Sequence, residues 1–245
     1  MLPYMDGMGF IDLHCHWIPG VDDGAPTLEV GLAMLRALGA LGFTQVVATP
    51  HMRPGLFDNT AAELRAAFAG AEAQLKALPG LPERALSSEH FFDEVVFQRL
   101  CAGEGLPYPG GASVLLEFYE SNFPPRVDQL LAQLRRRGLT PVVAHPERYR
   151  ALWDQPEILE RLLDLGAMAL LDVAALVGKY GRRPQRCAEL LLERGWYHAA
   201  CSDAHRPKDV DQAGSGIQRL RQLYGDEEVE ALLTDGPRAI LAGRA

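Results

Sequence analysis

Lysine is nearly missing from this sequence. Only Lys76, Lys179 and Lys208 are lysines among 24 basic residues; arginine supplies the rest, against 32 acidic side chains and a net charge of −8. That balance excludes a protein that holds nucleic acid through bulk positive charge, though not a local site for a single phosphate. Cysteine is scarce as well. Cys15, Cys101, Cys187 and Cys201 are far apart and form no CxxC pair, so reduced thiols in a cytoplasmic protein are expected. No cysteine has the Cys–His–acid setting of a nucleophile. No apolar run approaches the ~18 residues of a membrane helix, so membrane insertion is not expected. The start, Met1 to Phe10, lacks a basic n-region and an apolar core, so no signal peptide is expected. No GxGxxG or P-loop follows the first strand-like run, and nothing supports a nucleotide fold. Internal repeats and low-complexity linkers are absent too.

What remains is ordinary globular composition, 48% hydrophobic and 23% charged over 245 residues. It rules out a disordered or fibrous chain and is long enough to bury a sizeable core. Short β-rich runs alternate with longer helical ones. Strands are expected at Gly9–Leu13, Thr44–Ala48, Arg84–Ser88, Ser113–Leu116, Thr140–Ala144, Ala167–Asp172 and Tyr197–Cys201. Helices are expected at Thr27–Leu41, Ala61–Leu78, Arg126–Arg137, Pro156–Leu165, Arg183–Arg194, Asp209–Tyr224 and Asp226–Leu232. Thr27 reads as an N-cap and Gly138 as a helix stop. The Pro/Gly-rich stretch Gly103–Gly111 reads as a long loop. Strand–helix alternation repeated about seven times predicts an α/β fold, a distorted TIM-like (β/α)7 barrel in a single domain over residues 1–245. An open doubly wound sheet is the competing topology.

Histidine is where the sequence becomes specific. His14, His16, His51, His90, His145, His198 and His205 mostly fall beside Asp, Glu or Pro, just after apolar runs. In parallel βα architectures the C-terminal strand ends share one face, where active sites are built, so these positions converge. His14 and His16 are two apart, so both rings face one side of a strand; Asp203 and His205 repeat the spacing. The converging set is His14, His16, Asp23, His51, Glu89, Glu117, His145, Asp203 and His205. Taken one at a time, each has a bland alternative, such as a surface histidine pair or a strand-end charge. Gathered together, buried imidazoles and carboxylates are costly without a cation. Imidazole with carboxylate suits zinc, manganese or iron. One ion takes roughly four to six ligands, so nine donors imply two or three divalent ions.

Other residues take structural readings. His90 follows Glu89 and on a strand faces the other way. His198 lies in a strand-like run as core or support. Asp12 is expected to orient a histidine from behind, and Asp22 is a weaker ligand candidate than its neighbour Asp23. Arg135, Arg136 and Arg137 close a helix, where cations complement its dipole. A cluster of ions activates water and stabilises displacement at phosphorus. Arg148 and Arg206, next to ligands, can hold phosphoryl oxygens.

The segments DLHCHWIPGVDDGA (Asp12–Ala25), ATPH ending at His51, AHPERY starting at Ala144 and CSDAH ending at His205 resemble the polymerase-and-histidinol-phosphatase (PHP) superfamily. More narrowly, the first and HPERY resemble the bacterial metal-dependent protein-tyrosine phosphatases of capsule and exopolysaccharide systems. The resemblance spans nearly the whole chain. It implies a distorted (β/α)7 barrel with a trinuclear, manganese-preferring site. The nine donors above would be its ligands and Arg148 its phosphate contact. Two departures stand out. The family's GAE is here SSE (Ser87–Glu89), which keeps the ligand and alters its approach. The family's second arginine lies a few residues past the last histidine, whereas Arg206 follows His205 directly and Lys208 comes after it. The second phosphate-binding cation is therefore open.

The resemblance thus implies a phosphomonoester hydrolase attacking phosphotyrosine proteins with a metal-activated hydroxide, manganese first and iron or zinc as alternatives. A bacterial tyrosine kinase is an expected partner. Arg148, Asp203, His205 and Arg206 are the expected catalytic residues, with Asp203 or His205 protonating the leaving phenolate. A small-molecule phosphatase acting on histidinol phosphate, and a metal-binding regulatory protein without turnover, are the alternatives. Acidic charge argues against a nuclease module. Oligomeric state is left open.

Overall fold

A computed structural model of the chain describes residues 9–243. Residues 1–8, which hold most of the Met1–Phe10 segment, and residues 244–245 lie outside the described part. The chain opens with β1 (Phe10–Cys15), α1 (Leu28–Ala40), β2 (Phe43–Ala48), β3 (His51–Met52), α2 (Ala61–Leu75) and β4 (Glu83–Leu86). It continues through β5 (Glu89–Phe91), α3 (Glu94–Cys101), β6 (Ser113–Glu117), α4 (Val127–Arg136), β7 (Thr140–Ala144) and α5 (Arg150–Asp154). It closes with α6 (Glu157–Asp164), β8 (Met168–Asp172), α7 (Arg182–Glu193), β9 (Ala199–Cys201), α8 (Pro207–Glu230) and α9 (Gly236–Leu241).

Strands pair in parallel throughout, in a three-stranded sheet β1-β2-β4 and a six-stranded sheet β3-β5-β6-β7-β8-β9. Parallel strands are covered on both faces and read as continuous apolar runs; β6, β7 and β8 are buried at every position. The helices close their outer side. In α1 the buried positions Gly31, Met34, Leu35 and Leu38 form one stripe, and Thr27 accepts the first-turn N–H of Val30. Thr60 and Glu63 form a reciprocal capping box on α2. The two sheets meet beyond β1 and β9, where Cys15 and Ala204 form a parallel bridge and the Asp203 N–H donates to His14 O at 3.0 Å.

The expected third strand, Arg84–Ser88, is interrupted. β4 ends at Leu86 and β5 begins at Glu89. The break is anchored by the two serines of the SSE segment: Ser87 Oγ donates to Leu106 O at 2.9 Å and Ser88 Oγ to Pro50 O at 2.7 Å. Helix α3 went unread in the sequence because it is short and enclosed between a strand and the Pro/Gly stretch. Asp93 caps it onto Val96 N, and Val96, Phe97 and Leu100 form its buried stripe. The five-residue α5 and the terminal α9 were also unread, α9 because it starts with Gly236–Pro237. The expected break between the last two helical segments falls at Gly225, whose φ of 87° kinks α8. No helix among the described residues is long and apolar enough to cross a membrane.

Candidate metal centre and active site

The C-terminal ends of the strands meet in a cleft of about 330 Å³. All nine expected donors come together around it. Their ligand atoms fall into four overlapping groups, each within 4.8 Å: His16–Asp23–His51–His205, His14–His16–Glu89, His14–His145–Asp203 and His51–Glu89–Glu117. Glu89 is central. Its Oε2 lies 3.1 Å from His14 Nε2 and 3.2 Å from His51 Nδ1, and its Oε1 lies 3.0 Å from His145 Nε2.

Hydrogen bonds behind the rings set which nitrogen faces inward. Asp22 Oδ2 is 2.8 Å from His16 Nδ1. A carboxylate only accepts, so that nitrogen carries the proton and Nε2 turns its lone pair toward the cluster. His205 Nδ1 likewise meets a carbonyl, Asp203 O, at 3.2 Å, and its Nε2 faces Asp23 Oδ1 at 3.5 Å. Asp22 also accepts the backbone N–H groups of His51 and Gly24. Glycine is required at position 24, where a Cβ would lie 2.2 Å from His16 O.

Asp22 thus does what was expected of Asp12. Asp12 touches no histidine ring: it accepts the backbone N–H of His14 and of Ser202 and the Ser202 hydroxyl, tying β1 to the segment after β9. Its burial pushes the carboxyl up to about 6. His90 is structural. Its Nδ1 donates to Leu115 O at 2.9 Å, its Nε2 accepts the Leu106 N–H, and burial lowers its pKa to about 4. His198 accepts the Ala169 N–H. Glu147, behind His145, accepts from Tyr197 and from Asp172 N, and burial beside Asp172 raises it to about 8.

The donors carry the electrostatic mark of crowding. Burial lowers the His14 pKa, but Glu89 and Asp203 more than offset it, and the net shift is upward. Burial opposes the charge on Glu89, yet His14 and His51 hold it well below the ordinary carboxylate range. Glu117 goes the other way: burial, then the charge of Glu89, push it up to about 7. His14 Nε2 and His16 Nε2 approach to 3.1 Å, and Glu117 Oε2 and His51 Nδ1 have no hydrogen-bond partner although buried. Crowded imidazole nitrogens and orphaned buried polar atoms are an arrangement that divalent cations satisfy. The residues present fit such ions. Two site residues also hold left-handed backbone, His145 at φ 34° and Asp203 at φ 44°. Such strain persists where surrounding structure enforces it, and it collects at functional sites.

Arg148 enters the cleft with Nη1 donating to Asp203 Oδ2 at 2.8 Å, and its guanidinium lies over the Tyr180 ring, 4.7 Å from the centroid. Arg206 does not accompany it. Its Nη1 donates to three backbone carbonyls, those of Asp23, Gly24 and His205, pinning the turn that carries Asp23. Lys208 is exposed on α8. The second cation lining the cleft is Arg53, with Phe91 and Tyr119 beside it. Sequence reading passed over Arg53 although it lies two residues beyond His51, the one signal that marked it.

The parallel α/β fold of the chain is shared by solved structures of low identity. The E. coli phosphotriesterase homology protein, solved with phosphate in its active site, superposes over 95% of this chain and 98% of its own with a TM-score of 0.62 at 16% identity, a likeness of fold alone. The chain belongs to the CpsB/CapC family of capsular polysaccharide synthesis, whose model matches residues 10–242. It is 31% identical to tyrosine-protein phosphatase YwqE of Bacillus subtilis over 239 residues, 94% of this chain and 91% of that one. It is 26% identical to tyrosine-protein phosphatase CpsB of Streptococcus pneumoniae over 240 residues, 94% of this chain and 98% of that one. A solved structure from work on YwqE and CpsB, described as unique metal-dependent tyrosine phosphatases, matches with a TM-score of 0.87 at 29% identity, covering 96% of this chain and 95% of that one.

Proposed function

We propose that the chain is a metal-dependent protein-tyrosine phosphatase. The observation that carries this reading is the convergence of nine His, Asp and Glu side chains beside Arg148 in one cleft. His14, His16, Asp23, His51, Glu89, Glu117, His145, Asp203 and His205 would hold two or three divalent ions, manganese first, with iron or zinc as alternatives. When bound, such ions lower the pKa of water toward neutrality and neutralise charge on phosphoryl oxygens.

The chain's own groups do the rest. Arg148 orients the phosphoryl group; Asp203 fixes Nη1, and Nη2, 3.8 Å from the exposed Glu120, points to the cleft mouth. Asp22 and the Asp203 carbonyl hold His16 and His205 in the tautomers that turn Nε2 inward. Asp203 is a poor proton donor: burial opposes its charge, but His14, His205 and Arg148 keep it ionised. His205 is no better placed, with its Nδ1–H bonded to the Asp203 carbonyl and its Nε2 committed to an ion. A phenolate, with a pKa near 10, leaves readily even without help.

The same reading treats the two sheets as one distorted (β/α)7 barrel. β2 with β3 and β4 with β5 serve as two interrupted strands, and the Cys15–Ala204 bridge closes the ring in a single domain. It carries a cytoplasmic location and a phosphotyrosine protein as partner, a bacterial tyrosine kinase among the candidates.

The test is hydrolysis by protein reconstituted with Mn²⁺, comparing a phosphotyrosine peptide, histidinol phosphate and a phosphodiester. The expected result is preference for the peptide, with loss on chelation. Faster turnover of histidinol phosphate by a wide margin would make this a small-molecule phosphatase. No hydrolysis of any ester by metal-loaded protein would leave a silent metal-binding protein.

A further inference from the structure

Three neighbouring strands carry the same two-step pattern. His51, Glu89 and Glu117 form one of the donor groups, and two residues beyond them stand Arg53, Phe91 and Tyr119. β3, β5 and β6 are adjacent and parallel, with Met52 paired to His90 and Phe91 to Glu117. A two-residue step along a strand returns to the same face. Phe91 is the last residue of β5 and Arg53 and Tyr119 follow the ends of β3 and β6, and all three line the cleft.

The row is built. The Arg53 guanidinium lies 4.0 Å from the Phe91 ring centroid, and Phe91 meets Tyr119 edge to face at 4.6 Å and 88°. The Arg53 N–H donates to Phe57 O at 3.0 Å, and the Phe57 ring is stacked on His51, 5.3 Å away and 9° from parallel. Phe91 is buried, whereas Tyr119 is 54% exposed at the mouth. Beyond its contact with Phe91, Tyr119 leaves aromatic surface exposed at the lip of a polar cleft.

We infer that Arg53, Phe91 and Tyr119 form an aryl-recognition wall that selects phosphate esters of phenols over those of alkyl alcohols. The inference rests on the phosphatase reading above and adds how the substrate is chosen. With phosphate held at the donor groups and Arg148, the ester's organic part projects outward along this row. A phenyl ring laid along this row can meet the Arg53 guanidinium and the Tyr119 ring, both of which line the cleft. Cation–π and aromatic contacts of this kind are worth roughly 3- to 10-fold in binding each. An alkyl ester has no π face to offer and gains neither. Glu120, exposed at the same mouth near Arg148, does not bear on this choice because it meets both classes alike.

The test uses non-hydrolysable probes. Phenylphosphonate and methylphosphonate binding to the Mn²⁺-reconstituted protein is measured by calorimetry for wild type, Tyr119→Ala and Arg53→Lys. Tyr119 is exposed, and lysine keeps the charge of Arg53 while losing its plane. The wild type is expected to prefer phenylphosphonate by about tenfold. Each variant is expected to shrink that preference several-fold with methylphosphonate affinity held within about twofold. An unchanged preference, or an equal fall for both probes, overturns the wall. If phosphotyrosine peptides are not hydrolysed while the preference exists and both variants lose it, the phosphatase reading fails and the wall stands. If peptides are hydrolysed and neither variant alters the preference, the wall fails and the phosphatase reading stands.

Discussion

Arg148 and Asp203 lie 55 positions apart in the chain, yet Nη1 of one donates to Oδ2 of the other at 2.8 Å at the centre of the cleft. Asp203 is 2% exposed and takes a left-handed φ of 44° to present that oxygen. The guanidinium is therefore aimed before any substrate arrives. Preorganised cations of this kind are typically worth about 10²- to 10³-fold in rate. Arg148→Ala is expected to lower kcat/KM on a phosphotyrosine peptide by that factor. Arg148→Lys keeps charge but cannot bond Asp203 and phosphate in one plane, so it should recover less than about a tenth of the loss. Steady-state kinetics of the two variants check this; full activity in the lysine variant would show that charge alone suffices.

Asp22 works one step behind the donors. It fixes the ring of His16 and the backbone of His51, without belonging to any donor group itself. Loss of such a partner typically weakens metal affinity about 10- to 100-fold. Asp22→Asn is expected to do so in a metal titration, while circular dichroism stays that of the wild type. If affinity holds, the orientation of His16 does not depend on this contact.

Much of the site could be read in advance because spacing and strand ends are local properties of a sequence. HxH at positions 14 and 16 shares a face where the chain stays extended, and β1 carries His14 and ends one residue before His16. Where Arg206 turns was not legible, because adjacency to His205 says nothing about the direction of a long side chain. The carbonyls of Asp23 and Gly24 that it meets are more than 180 residues away, at separations of 183 and 182. Asp22, not Asp12, supports a histidine ring for the same reason: each faces partners that only the closed tertiary structure supplies. The helix α3 was missed because eight residues give barely two turns of periodicity.

The cysteines predict a negative result. Burial pushes the Cys15 and Cys201 thiols far above their ordinary value, and that of Cys187 up to about 12. A thiolate is the reactive form, so these three stay unreactive near neutral pH. Iodoacetamide is therefore expected to leave phosphatase activity unchanged. Trapping of a phosphorylated cysteine, or inactivation tracking alkylation of a buried thiol, would contradict the site described here.

Ion binding should stabilise the fold and should weaken in acid. Glu89 sits among His14, His51 and His145, and without ions these groups share protons: His14 and His51 are raised despite burial, and Glu117 stands at about 7. An imidazole must be neutral and a carboxylate ionised to bind a cation, so ions displace those protons. Lowering pH restores the protons and competes the ions away. Any ligand that binds only the folded state at a hundredfold excess over its Kd adds about 2.7 kcal/mol. Mn²⁺ is therefore expected to raise Tm at pH 7.5 and to raise it less at pH 5.5. Uptake should release protons, detectable as a buffer-dependent binding enthalpy. His14→Ala and Glu117→Ala should each reduce the rise in Tm, since each removes a donor from at least one group. A rise of equal size in both variants would mean the ions bind elsewhere.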